Sequence, residues 1–197
     1  MNIKKDDSLS LVLIGGSSGS FVIFEEILKL LVQPLSFAIV FVLHRGKSST
    51  SVLPELFRNR TNVFMSEPHH LDTIETNTVY FAFPDYHLLI GPDGRFYYDL
   101  SEKVFFSRPC IDATFISAAF SGIPVKAALL LSGSSADGAF GVKVLAQKGF
   151  ATYVLNPKDA ESPRMPEAAL QQYDKHTIIY KSTLIKVVQD ILYSHAM

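Results

Sequence analysis

The chain has 197 residues, a formal net charge of −1, one cysteine and no tryptophan. That length corresponds to about one domain, large enough to bury roughly 70% of its unfolded surface without a metal or disulfide staple. The 48% hydrophobic fraction excludes a disordered chain, the single Cys110 excludes a disulfide framework and a cysteine zinc cluster, and the near-neutral charge offers no nucleic-acid footprint.

Residues 1–9 read as a polar tail without the apolar stretch of a signal peptide, and residues 10–197 as one domain. Leu11-Val12-Leu13-Ile14 is a short unbroken apolar run, the pattern of a strand buried on both faces. After Ser20, the residues Phe21, Phe24, Ile27, Leu28 and Leu31 fall on one face of a helix. Residues 37–43 form a second apolar run. Val52, Leu53, Leu56 and Phe57 suggest a second helix. Tyr80 to Ile90, the turn Gly91-Pro92-Asp93-Gly94 and Arg95 to Tyr98 read as strands joined in a hairpin. Phe115, Ile116, Ala119 and Phe120 mark a third helix, and residues 127–131 a third buried strand. Gly141 to Lys148 is a short helix stopped at Gly149. Ala151 to Leu155 is a strand, Met165 to Gln172 a helix with Pro166 in its first turn, and Thr177 to Tyr180 a last strand. Leu184, Ile185, Val188, Ile191 and Leu192 line a closing amphipathic helix. The rhythm predicts an α/β domain with a mostly parallel sheet, helices on both faces and an inserted β-hairpin. No apolar run reaches the ~18 residues of a membrane span, so no membrane insertion and a reducing, cytoplasmic setting are expected.

In open parallel sheets, ligands bind beyond the carboxyl ends of the strands. There the chain carries Gly15-Gly16-Ser17-Ser18-Gly19-Ser20, then His44-Arg45-Gly46, then Ser132-Gly133-Ser134-Ser135-Ala136-Asp137-Gly138. A serine, a histidine and an aspartate each follow a buried strand. Ser17 stands in a G-x-S-x-G turn, where the next helix offers free N–H groups to an oxyanion. A serine hydroxyl needs a base, and His44 is the histidine at a parallel strand end. The imidazole in turn needs an acceptor, and Asp137 is the best-placed carboxylate. The order Ser, His, Asp differs from that of the α/β-hydrolases. A glycine-rich turn after a first strand also suits a phosphate cradle. A dinucleotide-binding oxidoreductase, with Gly15, Gly16 and Gly19 on the pyrophosphate and Arg45 on a 2′-phosphate, is therefore a competing reading. It lacks the acidic ribose partner and the G-x-G-x-x-G spacing.

Six segments in order resemble the catalytic domain of the protein-glutamate methylesterases of bacterial chemotaxis, the CheB type. Residues 13–19 are similar to its I-G-x-S-[TS]-G nucleophile turn, which places the nucleophile at Ser17. Residues 42–44 resemble the strand end with the catalytic histidine, and residues 131–138 the L-[ST]-G-x-x-x-D-G loop with the catalytic aspartate. Residues 80–89 resemble its Y-x-A-P-P-D-Y-H stretch, Arg108-Pro109-Cys110-Ile111-Asp112 its R-P-S-x-D segment, and Met165-Pro166 its M-P loop.

The resemblance implies a doubly wound α/β sheet and a serine hydrolase that removes methyl esters from glutamyl side chains of chemoreceptors, with deamidation of glutamine in many members. Ser17, His44 and Asp137 are then catalytic, with no cofactor. The N–H groups of Ser18 and Ser134 are the candidate oxyanion donors, and Met165 a wall of the site. Of the cations Arg45, Lys47, Arg58, Arg60, Arg108 and Arg164, Arg45 and Arg108 are the candidates for a cationic mouth facing an acidic receptor helix. The sequence departs from the family at Arg45-Gly46, Ser134-Ser135, Ser20 and Phe83, which motivates a second alternative, a catalytically weak binding module of the same fold. The members' usual receiver domain has no counterpart here, so the expected activity is constitutive or controlled by a separate protein. His69, His70 and His87 read as loop or packing residues, and Cys110 as a small half-buried one.

Overall fold

The computed structural model describes residues 9–44, 53–57 and 63–193. Arg45, assigned above to the mouth of the site, lies outside the described residues. The elements run β1 (Leu11–Gly16), α1 (Phe21–Leu30), β2 (Ala38–Leu43), α2 (Leu53–Phe57), β3 (Phe64–Ser66), β4 (Thr78–Phe81), β5 (His87–Ile90) and β6 (Phe96–Asp99). Then follow α3 (Ile111–Phe120), β7 (Val125–Leu130), α4 (Ala139–Gln147), β8 (Thr152–Leu155), α5 (Arg164–Gln172), β9 (Thr177–Ile179) and α6 (Leu184–Tyr193).

Seven strands form one sheet in the order β3-β4-β2-β1-β7-β8-β9, and every pair in it is parallel. From β1 the chain winds first toward β2 and later, from β7, in the opposite direction. The crevice of this doubly wound sheet therefore opens between β1 and its two neighbours.

The strands read as continuous apolar runs because both faces are covered. Leu11, Leu13, Val40, Val42, Ala128 and Leu130 face one core, which Phe115 of α3, Leu145 of α4 and Ala169 of α5 complete. Their alternates Val12, Ile14, Ile39, Phe41, Ala127 and Leu129 face a second core with α1, α2 and α6, as the two-residue period of a strand requires. In that second core Phe24 meets Phe41 edge-on at 4.6 Å, and Phe41 stacks on Phe81 at 5.4 Å.

One expectation needs correction, and one element is additional. Tyr80 to Ile90 is not one strand. Tyr80 and Phe81 belong to β4 of the parallel sheet, and the chain then turns away through Asp85, whose φ is 69°. Only β5 and β6 pair as the antiparallel hairpin, and Leu88, Ile90 and Phe96 pack it against the α3 side. The edge strand β3 has no counterpart in the sequence reading, because its three residues are exposed or half-buried.

Candidate active site

Strand register sets the first positions. Gly16 of β1 lies opposite Leu43 of β2, so Ser17 and His44 leave the sheet side by side. The His44 N–H donates to the Gly16 carbonyl at 3.3 Å. On the other flank, the Ser17 N–H donates to the Ser132 carbonyl at 2.8 Å. The chain enters α1 through Gly19 at φ +79°, a conformation that favours glycine. Ser20 does not cap α1 with its side chain; its hydroxyl donates to the Ser132 carbonyl at 2.7 Å. The Ser132 hydroxyl donates to the Ser18 carbonyl at 2.6 Å and accepts from the Ser162 N–H at 2.9 Å. One buried serine thus laces together the Ser17 turn, the 132–138 loop and the start of α5.

Asp137 is fully buried. One of its oxygens accepts from His44 Nε2 at 2.6 Å and from the Ile111 N–H at 2.8 Å. The other accepts from the Asp112 N–H at 3.0 Å and the Cys110 thiol at 3.1 Å. The carboxylate therefore sits on the N-terminus of α3, where unpaired N–H groups and the helix dipole favour negative charge. Burial pushes its pKa up, but the bonds from His44, Asp112 and Ile111 outweigh burial and hold it below its ordinary value. The exchange is reciprocal: Asp112, in the first turn of α3, accepts from the Gly141 N–H of α4 at 2.6 Å. Burial, with Asp137 nearby, pushes the Asp112 pKa up to about 6.

An ionised acceptor on Nε2 assigns that nitrogen the proton and leaves the lone pair on Nδ1. Nδ1 faces the Ser107 hydroxyl at 3.2 Å. Among the described residues the Ser17 hydroxyl makes no hydrogen bond. The structure thus joins His44 to Asp137 and seats Ser17 beside them by register. It also brings in two side chains that the sequence reading missed, Ser107 and Cys110. The serine in the R-P-S-x-D pattern was a signal for Cys110, since serine is a preferred helix cap and the Cys110 sulfur caps α3 by accepting from Ala113. Ser107 had no such signal.

The candidate oxyanion donors are positioned differently from their neighbours. The N–H groups of Ser17 and Gly133 are engaged by the carbonyls of Ser132 and Ser162. Those of Ser18 and Ser134 donate no hydrogen bond among the described residues, and the two side chains approach at 3.4 Å. Met165 is fully buried. A Cβ on Gly133 would stand 2.3 Å from its terminal carbon and 3.1 Å from the Ser17 Cβ, so Met165 backs the loop directly behind Ser17. Arg108 is directed elsewhere. Its guanidinium holds Asp85 at 2.9 Å and the carbonyls of Leu100 and Ser101 at 2.9 Å each, which makes it a brace for the loops around the hairpin.

The remaining residues take packing roles. His87 is buried with Nε2 at 3.0 Å from the Glu102 carbonyl, and His70 accepts from the Tyr98 N–H at 3.0 Å. Cys110 is fully buried rather than half-buried, and its thiol pKa is pushed up by burial and by Asp137. The glycines of the first turn are filled by the fold itself: a Cβ on Gly15 would meet Ile111, and one on Gly19 would meet Glu161, each at 2.5 Å. That close packing explains them without a pyrophosphate.

Comparison with known proteins bears on the family and the fold. The sequence pattern of the CheB methylesterase family matches residues 12–186. A putative protein-glutamate methylesterase/protein-glutamine glutaminase of Leptospira interrogans is 32% identical over 160 residues, which cover 81% of this chain and 83% of that one. The protein-glutamate methylesterase FrzG of Myxococcus xanthus is 27% identical over 169 residues, and the match spans 86% of this chain and 51% of FrzG. The crystal structure of the Thermotoga maritima CheB methylesterase catalytic domain superposes with a TM-score of 0.83 at 22% identity, covering 93% of this chain and 99% of that domain. The fold is the same, and with the match over residues 12–186 the chain belongs to the CheB methylesterase family.

Proposed function

We propose that this chain is a serine hydrolase that converts glutamyl methyl esters on chemoreceptor helices to glutamate and methanol. One observation carries the reading. The Asp137–His44 pair, anchored on α3, stands beside Ser17 at the switch point of the sheet, with the N–H groups of Ser18 and Ser134, unengaged among the described residues, alongside. Ser17 Oγ attacks the ester carbonyl carbon while its proton passes to the His44 Nδ1. The carbonyl oxygen becomes an oxyanion that Ser18 and Ser134 stabilise through their N–H groups. The tetrahedral intermediate collapses, the bond to the methoxy oxygen breaks, and His44 returns the proton to give methanol. Water then attacks the acyl-Ser17 carbonyl and gives a proton to the same nitrogen; the bond to Ser17 Oγ breaks, and the ring returns that proton to Ser17 as glutamate leaves. A glutaminyl side chain would follow the same course with ammonia leaving, in line with the second activity named for the Leptospira relative.

The partners in this reading are methylated cytoplasmic helices of chemoreceptors, which sets the reaction in the cytoplasm. Among the described residues no helix is long and apolar enough to cross a membrane. The test is methanol release from methylated receptor. Ser17→Ala is expected to lower it by about 10³-fold or more. Release within tenfold of the unaltered chain would remove Ser17 from the reaction. A binding module without catalysis would hold receptor and release no methanol at all.

A further inference from the structure

The hydroxyl of Ser107 stands on the one ring nitrogen that the proposed reaction needs. We propose that Ser107 is a latch on the base: it occupies Nδ1 of His44 in the resting protein and must withdraw before the ring takes the Ser17 proton. The inference rests on reading Ser17 as the nucleophile and adds a residue that controls when it is activated.

Three observations carry it. First, Asp137 accepts from Nε2 at 2.6 Å, so the ring's lone pair lies on Nδ1, and Ser107, 3.2 Å away, donates its O–H to it. A hydroxyl on Nδ1 competes with the Ser17 hydroxyl for the same lone pair. Second, the Ser17 hydroxyl has no hydrogen-bond partner among the described residues. The nucleophile and the base are neighbours that are not yet connected.

Third, Ser107 is carried by a turn with reason to move. The Ser107 N–H donates to the Val104 carbonyl at 2.8 Å and the Val104 N–H to the Ser107 carbonyl at 3.2 Å. Between them Phe105 and Phe106 have φ of 47° and 62°. A two-residue turn with two positive φ values normally uses Asn-Gly, and for bulky side chains that backbone is strained. Phe106 is 96% exposed, so burial of its ring does not offset the strain. Both phenylalanines of the turn are exposed, so it faces solvent beside His44 and is free of packing that would hold it there.

Ser107 could itself be read as the nucleophile, since it completes a hydroxyl–imidazole–carboxylate chain. Two features favour the latch. The N–H of Ser107 is engaged by Val104, and the unengaged N–H groups of Ser18 and Ser134 flank Ser17 instead.

The test follows the rate at which a fluorophosphonate probe modifies the chain, with the modified serine located by peptide mass spectrometry. The wild type, S107A and S107T are compared. S107A is expected to modify Ser17 about five-fold faster, the scale of one lost hydrogen bond, and S107T, which keeps the hydroxyl, to restore the slower rate. The ¹⁵N resonance of the His44 Nδ1 should move in S107A and return in S107T, a readout that does not depend on turnover. Equal or slower modification of Ser17 in S107A, or an unmoved resonance, overturns the latch and leaves the hydrolase reading intact. Modification at Ser107, or no modification of Ser17 in any of the three, overturns both.

Discussion

Asp137 satisfies four donors with two oxygens, the ring of His44, two backbone N–H groups of α3 and the Cys110 thiol. An amide cannot do this, because its nitrogen accepts nothing. In Asp137→Asn one pair of donors loses its acceptor, and the tautomer of His44 is no longer fixed. Methanol release is expected to fall by about 10⁴-fold while far-ultraviolet circular dichroism still shows a folded chain. A loss of less than tenfold would mean that Asp137 does not orient the base. The sequence showed Ser17, His44 and Asp137 because each follows the end of a buried strand, where chemistry in this architecture collects. It did not show Ser107, and it showed Cys110 only as a member of the segment resembling R-P-S-x-D, without its contact to Asp137. Their partners lie 63 and 27 residues away, and neither residue belongs to a periodic pattern. Ser107 lies on the connection from β6 to α3 and Cys110 at the start of α3, and tertiary contacts with the ends of β2 and β7 bring them to the site. Arg108 illustrates the reverse: its charge suggested substrate, but two carbonyls and Asp85 engage it inside the fold.

The loop after β7 and the start of α5 form a single wall. The Gly133 N–H donates to the Ser162 carbonyl, and the Met165 N–H to the Gly133 carbonyl. Gly133→Ala would push a methyl carbon into the end of Met165 and tightly against Ser17. Overpacking of this kind costs about 1–3 kcal/mol. Met165 is a flexible side chain and can retreat, whereas Ser17 sits on a short turn and cannot. Shortening Met165 to alanine in the same chain should therefore recover stability more fully than turnover. A double-mutant cycle in urea checks this; strictly additive costs would show that Met165 and Gly133 do not share the space. At this scale the central strands were legible because burial on both faces leaves an unbroken apolar run. The break between β4 and β5 was not, because the bend at Asp85 depends on contacts rather than composition. Its N–H donates to the Arg108 carbonyl at 3.0 Å, and its carboxylate accepts from the Arg108 guanidinium at 2.9 Å, contacts made across the chain that no local pattern announces.

Over the whole molecule, the two exchanged carboxylates act on stability with opposite signs. The Asp137 pKa is lowered by folding, so its contribution is present above the ordinary value near 3.8 and is lost as the pH falls below it. The Asp112 pKa is raised to about 6. Its contribution is therefore complete below the ordinary value and is lost as the pH rises through about 6. Between these limits the unaltered chain should lose stability on the order of 1–3 kcal/mol from Asp112. Asp112→Asn keeps an oxygen for the Gly141 N–H but removes the titration, so its urea midpoint should stay nearly level from about pH 4 to 6. An equal slope in both proteins would mean that Asp112 titrates at its ordinary pKa.

The matched register of β1 with β2 and of Ser17 with Ser132 has a consequence for how such a protein can change over generations. One residue inserted within β1 would carry Ser17 about 3.3 Å along the sheet and turn every following side chain to the opposite face. One residue inserted between α1 and β2 would do neither. The connection from α1 to β2, which carries no residue of the site, can lengthen or shorten, while the strands serve as rulers whose length the chemistry has to preserve.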